Sequence, residues 1–290
     1  MKRLLQIVVL ILCTVSIAMA QGGKVLETVT VKSKILKMDR KYAIYLPAGY
    51  DQDDRSYPVL YLLHGSGDNH TGWVQFGQVQ YIADKTIAEG NAAPMIIVMP
   101  DADTGTKGYF NAIDGNFNYE NFFFKELIPH IEKTYRVRSE RRYRAVSGLS
   151  MGGGGTIFYA LHQPDLFAAA APLSASTGNW DLEQFKTNAK KSKPDRSEKQ
   201  IEDYFNRHSI ASMIKHVPEA ELKKIKEIRW YISCGDDDFL YEGNSNLHVL
   251  FRKNEIPHEF RVKDGGHTWT YWRNELPLVL EFVSKSFTQF

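Results

Sequence analysis

Cysteine is nearly absent: the 290 residues include two, Cys13 and Cys234. Cys13 falls in an N-terminal stretch read below as a leader, so the processed chain keeps one thiol and no intramolecular disulfide can form. A lone cysteine at the end of an apolar run reads as a small buried hydrophobe rather than a nucleophile. Net charge is equally scarce. Lys and Arg number 36 against 34 Asp and Glu, and losing Lys2 and Arg3 with the leader balances the two. With no long basic run, neither nucleic acid nor a charged membrane surface is an expected partner. No histidine pair has helical ligand spacing with an acid between, and Asp236-Asp237-Asp238 is too short for a calcium loop, so no metal is expected. Gly152 to Gly155 lacks the Lys-Ser/Thr that follows a phosphate-binding loop, so no nucleotide cofactor is expected either. No internal repeat is present.

What the chain does have is Gly148-Leu149-Ser150-Met151-Gly152. The strand-like run Tyr143 to Ser147 precedes it and a glycine-rich, helix-like segment from Gly153 to His162 follows. In that setting a serine between two glycines sits on a sharp strand-to-helix turn that exposes its hydroxyl. Side chains two positions either side would collide with neighbouring backbone, and glycine removes the clash.

A serine hydroxyl is a weak nucleophile at neutral pH and needs a base, itself oriented by an acid. Trp230 to Cys234 reads as a buried strand that breaks at Gly235 into Asp236-Asp237-Asp238. Glu259 to Lys263 reads as a second strand, ending at Asp264-Gly265-Gly266-His267. Both groups then fall on the sheet edge that carries Ser150, with Asp238 as the acid and His267 as the base. Pro58 to Leu63 is a third apolar strand, running into His64-Gly65-Ser66-Gly67-Asp68. A turn there can supply one backbone N–H to a developing oxyanion and Met151 the other, with His64 structural rather than catalytic.

Strands alternate with helices along the rest of the chain. Lys24 to Lys34 and Lys41 to Leu46 suggest a hairpin, Gln78 to Gly90 and Tyr119 to Tyr135 suggest helices, and Met95 to Met99 suggests a buried strand. The fold class expected is α/β, a mostly parallel central sheet with helices on both faces. Residues 181–227 are charge-rich and then amphipathic, with two readings: a small helical cap insertion or a solvated helical excursion. At the N-terminus, Met1-Lys2-Arg3, an apolar stretch from Leu4 to Ile17 and Ala18-Met19-Ala20 form a signal-peptide pattern over residues 1–20, with cleavage after Ala20. The apolar stretch is shorter than the roughly 20 residues of a membrane span. Secretion or a periplasmic location is expected, with residues 21–290 forming one catalytic domain.

These segments resemble the branch of the α/β-hydrolases that includes esterase D and the feruloyl and acetylxylan esterases of carbohydrate esterase family 1. The resemblance is carried by Tyr61-Leu62-Leu63-His64-Gly65, Met99-Pro100-Asp101-Ala102, Asn118 to Phe123, Glu126 to Glu132, Gly148 to Gly153, Cys234 through Tyr241, and Gly265-Gly266-His267. It implies a Ser150, Asp238, His267 triad, with Ser66 and Met151 as oxyanion donors. The implied activity is a secreted serine esterase acting on an acylated plant polysaccharide or oligosaccharide, with no cofactor. Alternatives within the fold are an acetylxylan esterase and an acyltransferase; a non-enzymatic carbohydrate-binding form is disfavoured by the intact triad. A feruloyl rather than acetyl ester is expected, because aromatic residues fall in segments expected to rim the site: Trp73, Tyr109, Phe110, Trp180, Tyr241, Trp269 and Trp272. An aromatic acyl group needs ring contacts that acetate does not. The sequence carries no signal for an oligomeric state.

Overall fold

The computed structural model describes residues 22–102, 108–178 and 180–288; the expected leader, 1–20, lies outside them. Among the described residues, eight strands form one sheet in the order β1-β2-β4-β3-β5-β6-β7-β8. They are β1 (Lys24–Ser33), β2 (Met38–Leu46), β3 (Val59–Leu63), β4 (Ile96–Pro100), β5 (Arg144–Leu149), β6 (Ala169–Leu173), β7 (Arg229–Gly235) and β8 (His258–Lys263). The expected hairpin forms from β1 and β2, and β2 also runs antiparallel to β4. Every other neighbouring pair is parallel.

From β3 to β6 every strand residue is buried, as parallel strands covered on both faces must be. Alternation along β3 sends Tyr61 and Leu63 to one face, where they pack with Phe123, Val146 and Ile157. Leu60 and Leu62 go to the other, with Ile97, Leu276 and Val283. Each fully buried side chain of this size contributes about 1.5–3 kcal/mol, so the two cores fix which way each strand points. β6, Ala-Ala-Ala-Pro-Leu, has no β-branched residue and is not recognisable as a strand from its sequence.

The helices are α1 (Gly72–Gln75), α2 (Val79–Ala88), α3 (Tyr119–Phe122), α4 (Ile128–Thr134), α5 (Met151–His162), α6 (Leu182–Ser192), α7 (Glu198–His208), α8 (Ile210–His216), α9 (Glu219–Glu227), α10 (Tyr241–Lys253) and α11 (Trp269–Thr288). A π-helical turn, Phe123–Leu127, joins α3 to α4, so the expected helix over 119–135 is continuous but wider in its middle. α5 packs on β3, β5 and β6, and α11 packs with α2 and on β5 to β7.

Residues 181–227 form α6 to α9. Side chains of Asp181, Ser197 and Ser209 accept the backbone N–H three residues on and cap three of these helices. Arg196 grips Asp114 with two parallel bonds of 3.0 and 2.9 Å, and the Tyr204 hydroxyl donates to the Asn111 carbonyl. The insertion therefore docks on the 111–118 segment. Beside that contact, α7, α8, the 111–118 segment and the C-terminal end of α5 line a cavity of about 800 Å³. None of the residues lining the cleft beside Ser150 comes from α6 to α9.

Candidate active site

Ser150 occupies the turn between β5 and α5 with φ 55 and ψ −116, a conformation that costs a non-glycine residue about 1–3 kcal/mol. The surroundings hold it there. Its N–H donates to the Leu173 carbonyl and its carbonyl accepts from Ser176 and Gly154. A Cβ on Gly148 would lie 2.6 Å from the Gly152 carbonyl oxygen and 2.7 Å from the Leu63 Cβ. One on Gly152 would lie 2.6 Å from the carbonyl oxygens of both Leu63 and His64. Both glycines are required by close backbone approach, as the sequence pattern implies.

The turn brings the three expected residues together. The Ser150 hydroxyl lies 2.9 Å from His267 Nε2, and His267 Nδ1 lies 2.9 and 3.0 Å from the two Asp238 carboxylate oxygens. A carboxylate can only accept, so the Nδ1 proton faces Asp238 and Nε2 is free to take the serine proton. Asp238 is 3% exposed. Burial alone pushes its carboxyl upward. Hydrogen bonds from His267, the Leu240 N–H and the Ser174 hydroxyl outweigh that and hold it below the usual carboxylate range. Ser174 also accepts the Trp272 indole N–H at 3.0 Å. The Cys234 thiol, near the end of β7 and four residues before the acid, is pushed up to about 12 by burial and by Asp238, so it stays protonated.

Across the cleft, β3 ends at the His64-Gly65-Ser66 turn. A Cβ on Gly65 would lie 3.5 Å from the Ser150 Cβ, so the turn abuts the nucleophile. Ser66 is exposed on the cleft wall, and Met151 heads α5. Neither backbone N–H has an acceptor among the described residues, which leaves both free for an anionic oxygen. His64 is buried, its Nε2 accepting the Ala102 N–H.

The cleft itself measures about 290 Å³ and is lined by Gly65, Ser66, Gly67, Asp68, Phe76, Leu149, Ser150, His267, Trp269 and Trp272. Of the aromatic side chains expected to contact substrate, Trp269 and Trp272 line it. Trp73 and Tyr109 do not, and this corrects their expected role. Both are completely buried: the Trp73 indole donates to the Leu63 carbonyl at 3.0 Å, and the Tyr109 hydroxyl bridges the His64 N–H and carbonyl. Their rings stay with the core because that is where their apolar area is removed from water. Trp180 is half-buried, donating to Thr177, and Tyr241 is exposed at the start of α10; neither lines this cleft. Two exposed aromatics were not expected. Phe76 packs against Trp269 with centroids 5.9 Å apart, and Phe239 packs against His267 at 4.5 Å. Phe239 directly follows the acid, a position that could have flagged it; nothing in the sequence marks Phe76.

Among the described residues, Asp236, Asp237 and Asp264 bring one carboxylate oxygen each to within 4.8 Å of one another on the surface. Asp236 is occupied there with the N–H groups of Asp237 and Gly265. No described helix is long and apolar enough to cross a membrane.

Known proteins share this architecture. The family described as "Putative esterase" matches residues 33–282. A solved ferulic acid esterase is 35% identical, with 92% of this chain and 99% of that one covered and a TM-score of 0.79. The endo-1,4-beta-xylanase/feruloyl esterase of Xylanibacter ruminicola is 38% identical over 143 residues, which are 46% of this chain and 19% of that protein. The chain thus matches about a fifth of that curated relative's length. An S-formylglutathione hydrolase from Staphylococcus aureus, 22% identical with a TM-score of 0.69 over 90% of this chain and 99% of its own, shares the fold. The chain belongs to this esterase family, with the α/β-hydrolase fold and the side-chain grouping of a serine carboxylic ester hydrolase.

Proposed function

We propose that this protein is a secreted serine esterase that releases hydroxycinnamoyl groups, feruloyl foremost, from plant cell-wall xylan through an acyl-enzyme on Ser150. The observation that carries the reading is the Ser150–His267–Asp238 relay opening onto a cleft walled by Phe76, Trp269 and Trp272. The cleft volume of about 290 Å³ is about ten times the share of one liquid water molecule. A two-carbon acetyl group would leave most of it empty, whereas a ring-bearing acyl group would fill it. Similarity to a ferulic acid esterase over most of both chains supports the same substrate class.

In this mechanism the Ser150 oxygen attacks the ester carbonyl carbon while its proton passes to His267 Nε2. The oxygen turned anionic accepts from the Ser66 and Met151 N–H groups, and Asp238 stabilises the imidazolium. Collapse breaks the bond to the sugar oxygen, which leaves with the His267 proton. Water then attacks the acyl-enzyme, giving up a proton to His267, and the free acid departs as Ser150 is restored. Export rests on the signal-peptide pattern in residues 1–20, and mature protein recovered outside the cytoplasm should begin at Gln21. The deciding comparison is kcat/KM on methyl ferulate and feruloylated arabinoxylan oligosaccharides against acetylated xylan. Ferulate release at the higher efficiency is expected; efficient deacetylation without ferulate release would move the substrate to acetylxylan.

A further inference from the structure

Every peptide group entering the oxyanion turn is held by a buried side chain. Trp73 Nε1 donates to the Leu63 carbonyl. The Tyr109 hydroxyl accepts the His64 N–H at 2.7 Å and donates to the His64 carbonyl at 3.1 Å. The next carbonyl, Gly65, lies 2.8 Å from His64 Nδ1. At the far side of the ring, Nε2 lies 2.9 Å from the Ala102 N–H. A backbone N–H can only donate, so Nε2 is the acceptor and the ring proton sits on Nδ1, facing Gly65. The ring is buried, which keeps water from competing for that carbonyl.

The Gly65 carbonyl and the Ser66 N–H are two ends of one planar peptide. No cis bond occurs among the described residues, so the two groups point in opposite directions. Whatever fixes the Gly65 oxygen therefore fixes the aim of the Ser66 N–H. Gly65 most needs such a fixture: lacking a side chain, it leaves its flanking peptides freer to rotate than any other residue would. We propose that His64 is a positioning residue, whose Nδ1–H holds the Gly65 carbonyl and thereby aims the Ser66 N–H at the oxyanion formed on Ser150 chemistry. Tyr109 and Trp73 brace the two peptides before it. The inference rests on the esterase reading above, and goes beyond it by giving a role to a histidine that touches no substrate.

Two substitutions separate the two ends of the ring. His64→Asn keeps an N–H near the Nδ1 position, and His64→Gln keeps an acceptor near Nε2. Losing an oxyanion donor costs about 10²–10³ in kcat, and a mis-aimed donor should cost part of that. His64→Gln should therefore lower kcat on methyl ferulate at least ~10-fold with KM changed less than about threefold, a pattern of loss confined to the transition state. Affinity for a boronic acid, which forms a tetrahedral adduct on serine, should fall in parallel, while ferulate binding should not. His64→Asn should restore most of kcat. Equal losses in the two variants, or an unimpaired His64→Gln, would overturn the proposal. Should either variant fail to fold, nitrogen-15 NMR of the wild-type protein decides: a proton on Nδ1 of His64 supports the proposal and a proton on Nε2 overturns it. Failure of the esterase reading is distinguishable, because Ser150→Ala would then leave wild-type turnover intact.

Discussion

Phe239 lies against the imidazole of His267, ring centroids 4.5 Å apart, with three-quarters of its surface open to solvent. In the proposed mechanism His267 Nε2 hands its proton to the departing sugar oxygen, so the sugar must lie near this ring. Stacking on one aromatic face is worth about 0.5–1.5 kcal/mol. Phe239→Ala should therefore raise KM about 2–10-fold for feruloylated oligosaccharides. Methyl ferulate, which has no sugar, should be hydrolysed nearly as before. Equal loss on both esters would place the ring on the acyl side instead.

The acid position makes a second test. Asp238 holds His267 directly, whereas Asp236 is exposed and accepts the N–H groups of Asp237 and Gly265. Asp238→Asn should lower kcat by about 10⁴, because the histidine loses the partner that fixes its tautomer. Asp236→Asn retains an acceptor oxygen and should change kcat little. Steady-state kinetics on one chromogenic ester suffice; a sensitive Asp236 with a tolerant Asp238 would refute the assignment.

Ser150, Asp238 and His267 are legible in the sequence because each follows a strand-like run that breaks at glycine: Gly148 for Ser150, Gly235 for Asp238, and Gly265-Gly266 for His267. The aromatic residues are not legible in that way. Trp73 lies even closer in sequence to the His64-Gly65-Ser66 turn than Phe76 does, yet it points inward and Phe76 points out. The one-dimensional pattern records proximity but not the face a side chain takes. β6 is missed for a related reason. Its alanines suit the crowding beside the elbow, where a Cβ on Gly153 would meet the Leu173 carbonyl at 2.7 Å, and close packing there outweighs β propensity.

The elbow stores strain that a substitution should release. Ser150→Ala and Ser150→Gly both remove the hydroxyl and its bond to His267, but only glycine is relaxed at φ 55. Both should cut turnover by at least ~10³ and abolish labelling by a fluorophosphonate. The difference between them reads the backbone alone. Strain of about 1–3 kcal/mol, less about 0.5–1 kcal/mol for glycine's added freedom when unfolded, leaves the glycine variant the more stable. Its Tm should exceed that of the alanine variant by a few degrees, at about 2–4 °C per kcal/mol. Identical melting curves would mean the turn is not strained.

Acid should weaken the fold through His208, on α7 beside the 800 Å³ cavity. Burial pushes its imidazole down to about 4 from the ordinary 6.5. Nδ1 donates to the Tyr204 carbonyl at 2.9 Å, and Nε2 is buried without a partner among the described residues. Between pH 6.5 and about 4 the unfolded chain binds a proton at this position that the folded chain refuses. Stability therefore falls as pH falls through that window and levels off below it. His70 and His130, also lowered by burial, act in the same direction. His162 is raised by its bond to Glu120 despite burial. Its contribution is complete below the unfolded value and fades only above it, so it does not mask the effect. His208→Phe keeps a ring to stack on Tyr204, whose centroid is 3.9 Å away, and removes the titration. Its Tm should drop less than that of the wild type between pH 7 and pH 4.5. Parallel curves for the two proteins would show that His208 takes up its proton in the folded state and that the cavity admits water to it.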